Sequence, residues 1–380
     1  MKKLSFVDCI AFDSIFVYND IKISKGGKAM IDANGYVMSA DRQVVRIENG
    51  LVVDVDKQFA PLHFINGKDF TSWLEGRAID SHRANSRLLK KVLRLANRDD
   101  ANTALAVNAV TITDNYWFKA DDENLTWDDV KFNENVFDNL ALKGDPDSFN
   151  QKPSRTPELT NIGSFEKCWR LIDGKWWMYK SGNNNQIFSE LFISNLGKAL
   201  GFNMADYEYD NGYVKTKDFT DGKVNFEPIC SVMCDNEDYS DNFDYFMTLS
   251  NDIAVDYLKM LYLDSICYNM DRHTNNYGLL RNIETGEILS LAPNYDNNIA
   301  LIANGYPSDV SREKDGILRF FFEFLDNNGK AKELFKSLEI PVITKEMIID
   351  CMDKIPVKID SEFIIDFILN GQRKLKEYIS

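Results

Sequence analysis

The alternation of apolar and polar positions divides the chain into unlike stretches. Over the first fifty residues, short apolar runs are separated by the turn formers Lys25-Gly26-Gly27, Asn34-Gly35 and Asn49-Gly50. This pattern predicts a small antiparallel β-unit. From Trp73 to Leu95 the apolar positions Leu88, Leu89, Val92, Leu93 and Leu95 recur at near-helical spacing, which predicts a long helix. Residues 121–157 are acidic and polar and contain the turn-rich Lys143-Gly144-Asp145-Pro146-Asp147, so a domain boundary is expected there. The expected division is an N-terminal extension over 1–145 and a second domain over 146–380.

Beyond that boundary the local signals sharpen. Cys168–Ile172 and Lys175–Lys180 flank Asp173-Gly174, a pair suited to a type I′ hairpin turn because both residues tolerate positive φ. A helix is predicted from Gln186 to Leu200, stopped by Gly201, and a buried helix from Asp252 to Tyr268. Strands are predicted at Tyr277–Leu280 and Glu287–Leu291, and helices at 317–325, 332–338, 345–352 and 361–378. A β-rich portion thus precedes an α-rich one. The expected fold class is α+β, with two lobes (about 146–235 and about 236–380), a cleft between them, and an N-terminal α/β extension.

Composition narrows the function classes. The 44 basic and 59 acidic residues leave a net charge of -15, which repels phosphate backbones and argues against general nucleic-acid binding. No apolar run approaches the length of about 18 residues that suggests a membrane helix. The opening stretch has acids within its apolar run and resembles a signal peptide only weakly. Six scattered cysteines suit reduced thiols in a cytoplasmic protein. Cys230 and Cys234 have no second pair to complete a metal site, and three histidines are too few for a His-rich one.

The segment carrying chemistry is Asn269-Met270-Asp271-Arg272-His273-Thr274-Asn275-Asn276. On a loop between a buried helix and a strand, Asp271 can take the proton of an attacking hydroxyl and Asn276 can ligate magnesium. Twenty residues later a hairpin returns the chain through Ala292-Pro293-Asn294-Tyr295-Asp296, placing Asp296 as a second magnesium ligand. Hard oxygen donors suit Mg²⁺ on nucleotide phosphates. Upstream, the loop Thr160-Asn161-Ile162-Gly163-Ser164-Phe165-Glu166-Lys167 can bring N–H groups and a cation to phosphates, or serve as a plain turn into a strand. Strand parity puts Lys180 on the face of Trp176 and Met178, so that it either points into the cleft or simply ends the strand in solvent. Glu190 either pairs with Lys180 or simply complements a helix N-terminus.

With these pieces in this order the chain resembles the HipA-like kinases, bacterial serine/threonine kinases that include toxins of toxin–antitoxin pairs. The matching elements are Thr160-x-x-Gly163-x-x-x-Lys167, Tyr179-Lys180, the helix from Glu190 to Gly201, Asn269-x-Asp271-Arg272-His273-x-x-Asn276 and Ala292-Pro293-x-Tyr295-Asp296. They span about the last 230 residues. The resemblance implies transfer of the γ-phosphate of Mg-ATP to a protein hydroxyl, and an antitoxin partner. It implies Asp271 as catalytic base, Asn276 and Asp296 as metal ligands, and Thr160, Gly163, Ser164, Lys167, Lys180, Glu190 and Asn276 around the nucleotide. Family members often carry, three residues before the loop glycine, a serine whose autophosphorylation disables the enzyme; Thr160 stands there. Residues 1–145 match the family poorly outside Trp73–Arg87. The adenine-contacting hinge is expected between Phe219 and Cys234.

Asp-Arg-His-x-x-Asn also resembles the phosphoinositide 3- and 4-kinases. The acidic charge, and Ala-Pro-x-Tyr-Asp in place of Asp-Phe-Gly, weigh against a lipid substrate. The alternative readings are a kinase of a small molecule or lipid, and a nucleotide-binding pseudokinase without turnover.

Overall fold

The computed structural model describes residues 17–18, 21–22, 31–96 and 98–379. The turn former Lys25-Gly26-Gly27 and Cys9 lie outside them. Two short strands, β1 (Val17–Tyr18) and β2 (Ile21–Lys22), pair with each other. The antiparallel strands β3 (Gly35–Ser39), β4 (Arg42–Glu48) and β5 (Leu51–Val55) turn at the predicted Asn49-Gly50. They are completed by β6 (Tyr116–Ala120), which pairs with β3 from far along the sequence, giving the order β5-β4-β3-β6. Against this sheet pack α1 (Leu62–Ile65), α2 (Phe70–Glu75) and α4 (Asp100–Leu105), whereas α3 (Ser86–Val92) packs with α6 (Asp138–Lys143), which follows α5 (Trp127–Val130).

The long helix expected from Trp73 to Leu95 is instead α2, a non-helical stretch and α3. Gly76 caps α2, and two arginines then turn inward. Arg77 donates to both oxygens of Asp114 (2.7 and 2.9 Å) and to the carbonyls of Ala109 and Tyr116, with its guanidinium 4.6 Å from the Trp73 ring. Arg83 is buried against residues 161–167. These tertiary bonds, together with the turn former Asp80, outweigh helical periodicity.

The next sheet has the order β7-β8-β10-β9, from β7 (Lys167–Ile172), β8 (Lys175–Lys180), β9 (Tyr207–Asp210) and β10 (Tyr213–Lys217). Asp173 (φ 50°) and Gly174 (φ 73°) form the predicted turn. The helix α7 (Asn184–Ala199) crosses the sheet, opened by a reciprocal Asn183–Gln186 capping box and closed by Gly201 at φ 75°. A three-stranded sheet joins β11 (Val224–Pro228) to β12 (Gly278–Asn282) and β13 (Ile288–Leu291). The helical remainder comprises α8 (Cys230–Met233), α9 (Tyr239–Leu249), α10 (Asn251–Ile266), α11 (Gly316–Asn327), α12 (Gly329–Ser337), α13 (Lys345–Met352) and α14 (Ser361–Ile379). In α10 nearly every residue from Tyr257 to Ile266 is buried, so it forms the axis around which the others pack. None of the described helices is long and apolar enough to cross a membrane.

The N-terminal sheet and helices are bonded to β11 and β12 by polar groups. Arg281 donates to Glu227 (2.6 Å), to the Ala60 carbonyl (2.7 Å) and to the Gln58 carbonyl (2.8 Å). Glu227 also accepts from the Leu62 N–H (2.5 Å) and the Tyr116 hydroxyl (3.1 Å), and the Phe226 N–H donates to the Thr113 carbonyl (2.9 Å). Removing one member of a buried pair leaves the other charge without compensation. We expect Glu227→Ala to lose about 3–5 kcal/mol in urea unfolding. Glu227→Leu combined with Arg281→Met should recover a large part of that loss. An unchanged midpoint for Glu227→Ala would show that the junction adds nothing to stability.

Candidate active site

Four structural pieces meet at a cavity of about 910 Å³: the 160–167 loop, the end of β8, the loop after α10 and the segment after β13. The sheet dictates the first contact. Lys167 and Lys180 are direct cross-strand partners, so their side chains leave the same face of the sheet. Two like charges in that relation repel, and carboxylates from elsewhere offset the repulsion. Lys180 Nζ lies 2.7 Å from Asp296 and 3.3 Å from Glu190. Burial alone would lower the Lys180 pKa; Asp296 and then Glu190 outweigh it and hold the amine firmly charged. Burial alone would raise Asp296; Lys180 and then Lys167 hold its carboxyl down at about 2.

Glu190 is almost fully buried and does not line the cavity. One of its oxygens takes Lys180; the other accepts the Asn297 N–H at 2.8 Å. The Asp296 N–H in turn donates to the Tyr207 hydroxyl at 3.1 Å, and Asp296 has φ 61°. Of the carboxylates around Lys180, Asp296 is the one open to the cavity, with 23% of its side chain exposed against 1% for Glu190.

The loop after α10 is organised by Arg272. Its guanidinium binds both oxygens of Asp264 (2.8 and 2.9 Å), the carbonyls of Asn276 and Tyr295 (2.8 Å each), and the side-chain oxygens of Asn294 (3.0 Å) and Asn297 (2.8 Å). One buried side chain thereby fixes both the Asp271–Asn276 loop and the segment carrying Asp296. Asp271 is half-buried, and burial raises its pKa above the ordinary value. The Asn276 Nδ2 donates to the Asp271 carbonyl at 2.8 Å, leaving Oδ1 as the atom available to a ligand. Among the described residues no group of three or more His, Cys, Asp or Glu could hold a metal by itself. Asn276 Oδ1 and an ionised Asp296 are two oxygen donors of the kind that a hard divalent cation such as magnesium accepts beside other oxygen ligands.

In the 160–167 loop, Thr160 is buried, and its hydroxyl donates to the carbonyls of Val110 (2.5 Å) and Pro157 (3.3 Å). Ser164 lines the cavity. Burial pushes the Lys167 amine down to about 7, against the pull of Asp296. The far wall is aromatic: Phe219, Phe226 and Tyr295 stand mutually 5.6–5.9 Å apart and all line the cavity. Phe219 and Phe226 lie within the 219–234 interval expected to hold the hinge, and nothing in their local sequence marks them out. Their spacing gives no local sign that β10, β11 and the segment after β13 bring the three rings together.

Gly163 has φ 107°, and a Cβ there would lie 2.3 Å from Lys167 Nζ. Gly163→Ala should cost about 1–3 kcal/mol in backbone strain and displace the Lys167 amine from the loop. Chemical unfolding checks the first effect and the pH dependence of Lys167 acylation the second. Wild-type behaviour in both would exclude this role for the glycine.

No protein-family model matches the chain, and no curated protein sequence matches it significantly. Solved structures do. The HipA of Shewanella oneidensis MR-1, solved with HipB and operator DNA, superposes with a TM-score of 0.59 over 91% of this chain and 97% of that one, at 12% identity. The proinflammatory kinase CtkA of Helicobacter pylori aligns with 56% of this chain and 90% of its own, at 20% identity and a TM-score of 0.43. The likeness to HipA runs through the N-terminal layers as well as the two lobes around the cavity, and the chain has a HipA-like kinase fold.

Proposed function

We propose that the chain is an ATP-dependent serine/threonine protein kinase. The observation that carries the reading is the convergence of Asp271, Asn276, Asp296 and Lys180 on one cavity within a HipA-like kinase fold. The acceptor hydroxyl gives its proton to Asp271 as its oxygen bonds to the γ-phosphorus; the bond from that phosphorus to the β-phosphate bridging oxygen breaks, and ADP leaves. Magnesium bound with ATP supplies neutralisation of the phosphate oxygens, and Asn276 Oδ1 and Asp296 are the residues to hold it. Lys180, oriented by Glu190, and Lys167 face the phosphates. The aromatic wall of Phe219, Phe226 and Tyr295 suits the adenine. By the likeness to HipA, which was solved with HipB, the proposal extends to an antitoxin partner.

The test is transfer of labelled γ-phosphate by the wild type and by Asp271→Asn. Loss of a general base costs about 10²–10⁴-fold in rate. Transfer should fall by that factor while thermal stabilisation by Mg-ATP persists. Stabilisation without transfer by the wild type would establish a pseudokinase, and no nucleotide effect at all would end both readings.

A second outcome follows from Lys167. With its amine lowered to about 7, it is roughly nine-tenths neutral at pH 8, and contact with phosphate raises its pKa. Mg-ATP binding at pH 8 should therefore take up close to one proton, falling toward zero at pH 6, where the amine is already charged. Calorimetry in buffers of different ionisation enthalpy reads this directly, and Lys167→Met should abolish it.

A further inference from the structure

Arg83 is 1% exposed, and burial lowers its pKa. Among the described residues its hydrogen-bond partners are three carbonyls of a single loop: Asn161 at 3.1 Å, and Gly163 and Lys167 at 3.5 Å. No carboxylate bonds it directly; Glu158 and Glu166 act on it from further away. Burying a guanidinium without a bonded counter-ion is costly, so its position calls for more than packing.

The covalent geometry of the loop supplies the reason. In a trans peptide the carbonyl of one residue and the N–H of the next point to opposite sides. With the Asn161 and Gly163 carbonyls turned onto Arg83, the Ile162 and Ser164 N–H groups point the other way. Both residues line the cavity, and neither N–H donates a hydrogen bond among the described residues. The ends of the loop are held separately, by Ile79 N–H on the Leu159 carbonyl (2.8 Å) and Asn85 N–H on Glu166 (3.1 Å). Among the described residues, Arg83 is the side chain that hydrogen-bonds the carbonyl at its middle, Gly163.

We infer that Arg83, brought from the N-terminal layers, is a positioning residue that turns the Ile162 and Ser164 amides toward the nucleotide phosphates. The inference rests on the kinase reading for the identity of the anion. The ordering of the loop does not depend on that reading. Arg83→Met keeps an apolar stem without donors; Arg83→Lys keeps the charge without the fork.

Two measurements decide it. Backbone ¹⁵N relaxation of Ile162, Gly163 and Ser164 should show the loop becoming mobile in Arg83→Met while the rest of the chain stays ordered. Affinity for Mg-ATP should fall tenfold or more in that variant, affinity for adenosine should hold within twofold, and Arg83→Lys should lie between. An ordered loop with unchanged Mg-ATP affinity overturns the inference. So does loosening spread over the whole chain, or an equal loss for adenosine, either of which makes Arg83 a residue of the fold alone. If Arg83→Met does not fold, Arg83→Lys carries both measurements with the same overturning outcomes. A wild type that binds no Mg-ATP removes the kinase reading, and the relaxation data still decide whether Arg83 orders the loop.

Discussion

The buried pair of Arg272 with Asp264 governs the centre of this molecule. A guanidinium keeps its charge at any pH the protein meets, so a chain that buries one must surround it with acceptors. Here the acceptors come from the last turns of α10, from the loop that follows and from the segment after β13. Satisfying that one cation leaves those pieces little freedom relative to one another. Asp271, Asn276 and Asp296 hold their places because the backbone beside them answers to Arg272.

The same logic recurs at a distance from the centre. Arg77, Arg281 and Arg312 are each buried with their donors spent on backbone carbonyls as well as a carboxylate. Arg312 takes the Ser265 and Ile266 carbonyls and so closes the C-terminal end of α10, where the loop carrying Asp271 begins. Each such cation resolves carbonyls that the loops would otherwise bury unpaired. The surface is strongly acidic, while the interior is stitched by arginine.

What the sequence disclosed was whatever a local pattern can encode. Asp173-Gly174 announced its turn because only certain residues accept positive φ in succession, and Gly201 announced the end of α7 for the same reason. The parity of β8 sufficed to put Lys180 on the face of Trp176 and Met178, and the spacing of Asp271 and Asn276 sufficed to put both on one loop. Long-range partners were illegible. The break between α2 and α3 depends on Arg77 finding Asp114 and on Arg83 finding a loop some eighty residues away. Strand β6 depends on β3, and the aromatic wall on three separate elements. Two local hints were present, in Gly76 as a stop and Asp80 as a turn former, and helical periodicity masked them.

Glu190 has a mechanical consequence. Its two oxygens serve different masters: one orients an amine on the sheet, the other grips the main chain just after Asp296. A shift of α7 would disturb both contacts at once, because a single carboxylate makes them. Lys180 and the peptide after Asp296 are thus both tied to α7 through one carboxylate, so the placement of that helix bears on the two together.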